Sequence, residues 1–129
     1  MEERAILMVD DEPIILMSLR QLVKKHYGAR FRYETATDAE TAEAIVDELF
    51  AEGIKIILVI TDWIMPGRHG DALVRSVHAK HPEIKLIILS GQVDGERVRA
   101  LEREVPLAGF VTKPWSARPF LNLIAESVG

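Results

Sequence analysis

Asp62 ends the run Ile56-Ile57-Leu58-Val59-Ile60-Thr61, and Asp10-Asp11-Glu12 ends a second apolar run, Ala5-Ile6-Leu7-Met8-Val9. A carboxylate at the end of a buried strand is costly unless something pairs it. Two strand ends that both carry Asp predict one shared site, able to hold a cation or to perform phosphate chemistry. Two further chain positions join them: Ser90-Gly91 after one apolar run, and Thr112-Lys113-Pro114-Trp115 after another. Each signal alone is weak. An Asp after a strand is commonly a turn former or a helix cap; Ser90-Gly91 alone reads as a turn, and Lys113 alone as a solvated side chain. Three Asp, one hydroxyl and one ammonium at four strand ends are far more specific.

The elements that must position these groups alternate regularly. Strands are expected near Ala5–Val9, Arg32–Ala36, Ile56–Thr61, Lys85–Leu89 and Ala108–Val111. Between them lie helical spacings. The first starts at Pro13, a residue suited to a first helical turn, carries Ile15, Leu19, Leu22 and Val23, and stops at Gly28. Thr37-Asp38-Ala39-Glu40 reads as a capping box before a face of Ala42, Ile45, Val46, Leu49 and Phe50. Leu73, Val74 and Val77 define a third helix ending before Pro82. Asp94–Glu104 is the least apolar helix, with Val98, Leu101 and Val105 as its large apolar contacts. Phe120, Leu121, Ile124 and Val128 mark the last.

Five rounds of strand then helix predict an α/β fold: one doubly wound (βα)5 domain over residues 1–129, with a parallel sheet and helices on both faces. The most apolar strands (the first, third and fourth) belong inside and the second and fifth at the edges. The order is therefore 2-1-3-4-5, the flavodoxin-like arrangement. Its ligand crevice lies at the carboxyl ends of the strands, where the winding reverses. That point falls between the strands ending in Asp10-Asp11 and Asp62.

Composition narrows the function. The chain has 129 residues, enough for one domain with a core, and no cysteine, which excludes a disulfide framework and a thiolate metal site. A net charge of −4 argues against binding nucleic acid or an acidic membrane directly. No apolar stretch approaches the ~20 residues of a membrane span, and Met1-Glu2-Glu3-Arg4 is too acidic and short for a signal peptide. The expected setting is cytoplasmic. His26, His69, His78 and His81 show no metal spacing and read as surface residues.

Over nearly its whole length the sequence resembles the receiver domains of two-component response regulators, the class of the chemotaxis regulator. The resemblance rests on Asp10-Asp11, Asp62 with Pro66 and Gly70, Ser90-Gly91 and Lys113-Pro114. It implies that Asp62 accepts a phosphoryl group from the phosphohistidine of a sensor histidine kinase or a histidine phosphotransfer protein. It implies Mg²⁺, held by Asp11, Asp10 (largely through water), Asp62 and the backbone carbonyl of Ile64. Lys113, pointed inward by a cis bond to Pro114, and Ser90 would stabilise the transferring group. Ser90 and Phe110 would then switch conformation and control a downstream protein or output domain. Where such domains dimerise, the last two helices and strand five are the usual surface. The implied protein is a signalling switch, catalysing only its own phosphoryl transfer and dephosphorylation.

Some positions depart from the pattern. Ser90 replaces the commoner Thr and keeps its hydroxyl, whereas Phe110 replaces the commoner Tyr and loses one. Ile64 and Gln92 hold positions that tune the lifetime of the phosphorylated state; an aliphatic at Ile64 cannot orient a hydrolytic water. The main alternative is a degenerate receiver that binds partners without phosphorylation. A phosphohydrolase would want a second Asp at position 64 and a substrate cap. A flavin module would want hydroxyls where Asp10-Asp11-Glu12 stands. Trp63 is expected exposed beside the acceptor, Glu12 to be solvated or capping, and Arg68 to be a plain loop residue.

Overall fold

The computed structural model describes residues 3–91 and 95–128. Its elements are β1 (Arg4–Val9), α1 (Pro13–Tyr27), a short 3-10 turn (Gly28–Arg30), β2 (Arg32–Ala36), α2 (Ala39–Ala51), β3 (Lys55–Asp62), α3 (Gly70–Lys80), β4 (Lys85–Ser90), α4 (Gly95–Glu104), β5 (Gly109–Thr112) and α5 (Ala117–Val128). The five strands form one parallel sheet of order β2-β1-β3-β4-β5, as the apolarity of the strands predicts.

Alternation along β1 builds two cores. Ala5, Leu7 and Val9 face the cluster that holds Val46, Leu49, Leu73 and Val77 of α2 and α3. Ile6 and Met8 face the opposite cluster, with Leu16, Leu19 and Val23 of α1 and Phe120 and Ile124 of α5. Strand β3 contains one extra residue. The register steps from Ala5↔Ile56 to Ile6↔Leu58, so Ile57 is bulged out of the β1 ladder. Beyond the bulge the last pair is Val9↔Thr61. Asp10 and Asp62 are therefore next neighbours across the strand ends.

Local chemistry adjusts several expectations. The first helix begins at Pro13 and ends at Gly28, whose φ of 59° lies in the region glycine favours. In α2 the capping residue is Asp38, not Thr37: its side chain accepts the Thr41 N–H at 2.7 Å, so a single cap one residue later replaces the expected Thr37–Glu40 box. Phe50 does not join the apolar face of α2; it comes one position after buried Leu49 and is 65% exposed. Trp63 is buried, not exposed, because the chain turns back after β3 and sets the indole in the cluster with Met65 and Leu73. His81 is also buried, held under the Phe50 ring at 4.7 Å between centroids, with Nδ1 3.7 Å from Glu83. Asp94 and Gln92 lie outside the described residues.

Gly70 opens α3 where two backbone segments touch. A Cβ there would stand 2.1 Å from the Asp62 carbonyl oxygen, while the Gly70 N–H donates to the Trp63 carbonyl at 2.7 Å. At Gly91, by contrast, an added Cβ meets nothing within 4 Å. Gly70→Ala should therefore lower the urea-unfolding free energy by about 2 kcal/mol or more, the scale of overpacking against a backbone that cannot yield. Gly91→Ala should change it by less than about 0.5 kcal/mol. Equal effects would remove the steric reason for glycine at position 70.

Candidate functional site

The acidic groups converge at the carboxyl edge of the sheet. Asp10 and Asp62 are 1% and 6% exposed, and Asp11 is half-buried beside them. Each of the three offers a carboxylate oxygen, and these oxygens lie within 4.8 Å of one another. The backbone fixes the carboxylates. The Glu12 N–H donates to Asp10 Oδ1 at 2.9 Å, and the Trp63 N–H donates to Asp62 Oδ1 at 2.8 Å. The Thr61 hydroxyl donates to the Asp62 carbonyl at 2.9 Å. A buried Thr and a main-chain N–H in these roles carry no spacing signal, so the sequence does not announce them.

Lys113 reaches the same point from 103 positions downstream of Asp10. Its Nζ donates to Asp10 Oδ2 at 2.6 Å and lies 3.2 Å from Asp62 Oδ2. The Lys113–Pro114 peptide bond is cis, and the Lys113 N–H donates to the Ser90 carbonyl at 2.9 Å. That bond ties the β5 end to the β4 end, where Ser90 is buried. Phe110 pairs with Ile88, two residues below the Ser90↔Thr112 pair and on the same side of the sheet. It is half-buried against the apolar cluster that contains Leu101 of α4.

Electrostatics follow from crowding. Burial pushes the Asp62 carboxyl above the usual carboxylate range; Lys113 pulls it down and the charge of Asp10 pushes it up again. Burial alone would lower the Lys113 pKa. The hydrogen bond and charge of Asp10, then those of Asp62, outweigh it and raise it above the ordinary lysine value. The ammonium therefore stays charged at neutral pH. The donor set is all oxygen, and one lysine opposes three carboxylates. Such a set fits a hard divalent cation of the Mg²⁺ kind, which takes oxygen ligands and keeps several waters.

The remaining expectations divide. Glu12 is exposed and its side chain caps nothing, as a solvated acid. Ile64 is 53% exposed beside the acceptor. Arg68 is not a plain loop residue: its guanidinium pairs with Glu43 of α2 and pins the loop after β3. The Met65 N–H points at His69 Nδ1 over 3.4 Å within that loop. An apolar cleft of about 250 Å³, lined by Val46, Phe50, Ile54 and Ile84 among others, opens at the start of β3. It is at the far end of the sheet from the acids, so the chemistry belongs to the small polar pocket.

Comparison with known proteins agrees with this geometry. The family model for the response regulator receiver domain matches residues 6–125. The sensor kinase CckA of Brucella abortus is 31% identical over 122 residues, 94% of this chain and 12% of its own length. The hydrogenase transcriptional regulatory protein HoxA of Cupriavidus necator is 28% identical over 98% of this chain and 24% of its own length. The chain thus spans a quarter or less of these two relatives. A CheY-like response regulator receiver domain protein from Methanospirillum hungatei superposes with a TM-score of 0.82 at 26% identity, over 99% of this chain and 94% of that one. With Asp10, Asp11, Asp62 and Lys113 gathered at the switch point of a 2-1-3-4-5 sheet, and a family match spanning both ends of that site, the chain belongs to the response regulator receiver domain family.

Proposed function

We propose that this receiver domain accepts a phosphoryl group on Asp62 from a phosphohistidine and serves as a two-component signalling switch. The observation that carries the reading is the Lys113 ammonium standing between Asp10 and Asp62 in a pocket of three carboxylates. An interaction-only module has no need to confine like charges this way.

The reaction forms an Asp62 carboxylate oxygen–phosphorus bond and breaks the phosphorus–nitrogen bond of the donor imidazole, which leaves with the bond's electron pair and takes up a proton. Carboxylate nucleophiles of this kind are an established form of covalent catalysis. Asp10, Asp11, Asp62 and the Ile64 carbonyl would hold Mg²⁺, which when bound neutralises the crowded carboxylates and the phosphoryl oxygens. The chain's own residues do the rest. The Trp63 N–H orients Asp62, Lys113 offers a positive charge to the incoming group, and Ser90, buried at the β4 end, would offer it a hydroxyl. The added group brings about −1.5 to −2 charges. Ser90 is drawn towards it, and Phe110 moves inward on the same side of the sheet. Helix α4, with Leu101 its one buried residue, yields most easily.

The donor is a sensor histidine kinase or a histidine phosphotransfer protein, and the recipient a downstream protein or output domain. Relatives named as a sensor kinase and as a transcriptional regulator support both ends of that route. A cytoplasmic setting suits it, and among the described residues no helix is long and apolar enough to cross a membrane. Where a two-fold dimer forms, α4, β5 and α5 would supply its surface.

Incubation with acetyl phosphate and Mg²⁺ should add one phosphoryl group, read by intact mass. Asp62→Ala and omission of Mg²⁺ should each abolish the addition. Labelling that survives Asp62→Ala would sink the assignment of the acceptor, and steady turnover of a phosphate ester would indicate an enzyme instead.

The label should persist for minutes or longer, because Ile64 offers a hydrolytic water no polar handle. Its loss within seconds would contradict that role.

Without metal, the raised Asp62 pKa has a thermodynamic sign. The folded state holds this proton more tightly than the unfolded chain, so the associated stability is present below the unfolded carboxyl value of about 3.9 and is lost as pH rises through the folded value. Ionised Asp62 therefore opposes folding at neutral pH. In EDTA, Asp62→Asn should raise the melting temperature at pH 7 and flatten its fall between acid and neutral pH. Adding Mg²⁺ should raise the wild-type value and leave Asp62→Asn much less affected. A lower melting temperature for Asp62→Asn would reverse the sign of the argument.

A further inference from the structure

Charge lies along this chain in blocks. Residues 13–33 contain five Lys or Arg and no Asp or Glu; residues 34–54 contain seven Asp or Glu and no Lys or Arg. Most of the first block lies on α1 and its closing turn and most of the second on α2 and its ends, while Arg32 and Glu34 stand in β2 and pair with each other. The sheet separates them, because α1 packs in the cluster with α5 and α2 in the cluster with α3. A chain of net charge −4 thus presents a cationic helix on one face and an anionic helix on the other.

These charges are only partly neutralised within the molecule. Among the described residues, Arg20, Lys24, Lys25 and Arg30 enter no ion pair, nor do Glu40 and Glu48 of α2. Asp47 meets Lys80 only at 3.8 Å, with both side chains more than half exposed. Among the described residues, the same two helices carry three of the four large apolar side chains left in solvent: Ile14 (80% exposed) and Met17 (61%) on α1, and Phe50 (65%) on α2. Their order along the helices is complementary. Ten residues separate Ile14 from Lys24, and ten separate Phe50 from Glu40. That is about 15 Å along either helix. Laid antiparallel, Ile14 and Met17 meet Phe50 while Lys24 and Lys25 meet Glu40, and Glu48 stands nearer the apolar end of the contact. Exposed Ala44 and Ala51 on α2 leave room for close approach.

We infer that α1 of one molecule docks antiparallel on α2 of a second copy of this chain. The complementary surface is already present on the chain itself, which favours a second copy over an unrelated acidic protein. The contact is head-to-tail, so each added molecule leaves one free α1 and one free α2, and the assembly propagates. Two helices about 20 Å long bury less than the roughly 800 Å² per partner of a standard interface, so the association is weak. It is also sensitive to salt, because exposed charges supply much of it. Ile14 lines the recess formed with Lys113, Pro114 and Trp115 beside the acidic pocket, so docking covers one approach to Asp62.

Sedimentation velocity on the intact chain tests this, from about 10 µM to about 1 mM protein at about 20 mM salt. The average mass should climb past that of a dimer with concentration and return to monomer at about 500 mM salt. The double variant Lys24→Glu/Lys25→Glu and, separately, Glu40→Lys/Glu48→Lys should each weaken association by about tenfold or more. An equimolar mixture of the two should restore it, since a reversed α1 then meets a reversed α2. All four side chains are exposed, and circular dichroism verifies that each variant folds. A chain that stays monomeric at the highest concentration and lowest salt overturns the proposal. So does association that survives both reversals, which would place the contact on another surface, or a mixture that remains monomeric.

Discussion

Repulsion between Asp10 and Asp62 is the constraint around which the rest of this domain is arranged. They terminate adjacent strands whose last register pair is Val9↔Thr61, so their spacing is set by the sheet, about 4.8 Å between neighbouring strands. The ladder cannot relax to relieve the crowding, and burial denies both groups the solvent that would screen them. One ammonium, brought by the β5 end, opposes two buried acids and a half-buried third. A pocket with surplus negative charge and fixed dimensions is suited to a small cation and to a group that arrives with its own oxygens.

The fold supports that pocket by giving each participant a separate strand end. No helix contributes a side chain to the acid–ammonium set. Asp10 and Asp11 follow β1, Asp62 ends β3, Ser90 ends β4 and Lys113 follows β5. The Lys113 N–H to Ser90 carbonyl bond and the Trp63 N–H to Leu89 carbonyl bond at 3.2 Å stitch these ends together beyond the regular ladder. The site is therefore as rigid as the sheet, while the surrounding helices remain free to differ in how firmly they are held.

Much of this was legible in the sequence, for a definite reason. Strands buried on both faces read as unbroken aliphatic runs, and β1, β3 and β4 do so, which gave their interior positions and the location of the crevice. The polar residues at their ends stood out against that background. What stayed hidden was set by tertiary context. Trp63 follows a strand and could have pointed either way; only the return of the chain through Gly70 fixes it inside. Phe50 and His81 exchange their expected roles because an aromatic near a helix end can roof a neighbouring imidazole instead of entering the core. The bulge at Ile57 is invisible in a run of aliphatics, although it decides which residues of β3 face which layer. Arg68 finds Glu43 across 25 positions, a partner that local spacing could not nominate.

Helix α4 differs from its neighbours in how little holds it. Leu101 is its one buried residue, Val98 is half-covered, and an ion pair from Arg75 to Glu104 tethers its far end. An element attached so lightly can be tilted or gripped without disturbing either hydrophobic layer. A protein that recognises this helix consequently need spend little of its binding energy on distortion, and mutational drift there can change what the helix fits while leaving the acidic pocket untouched.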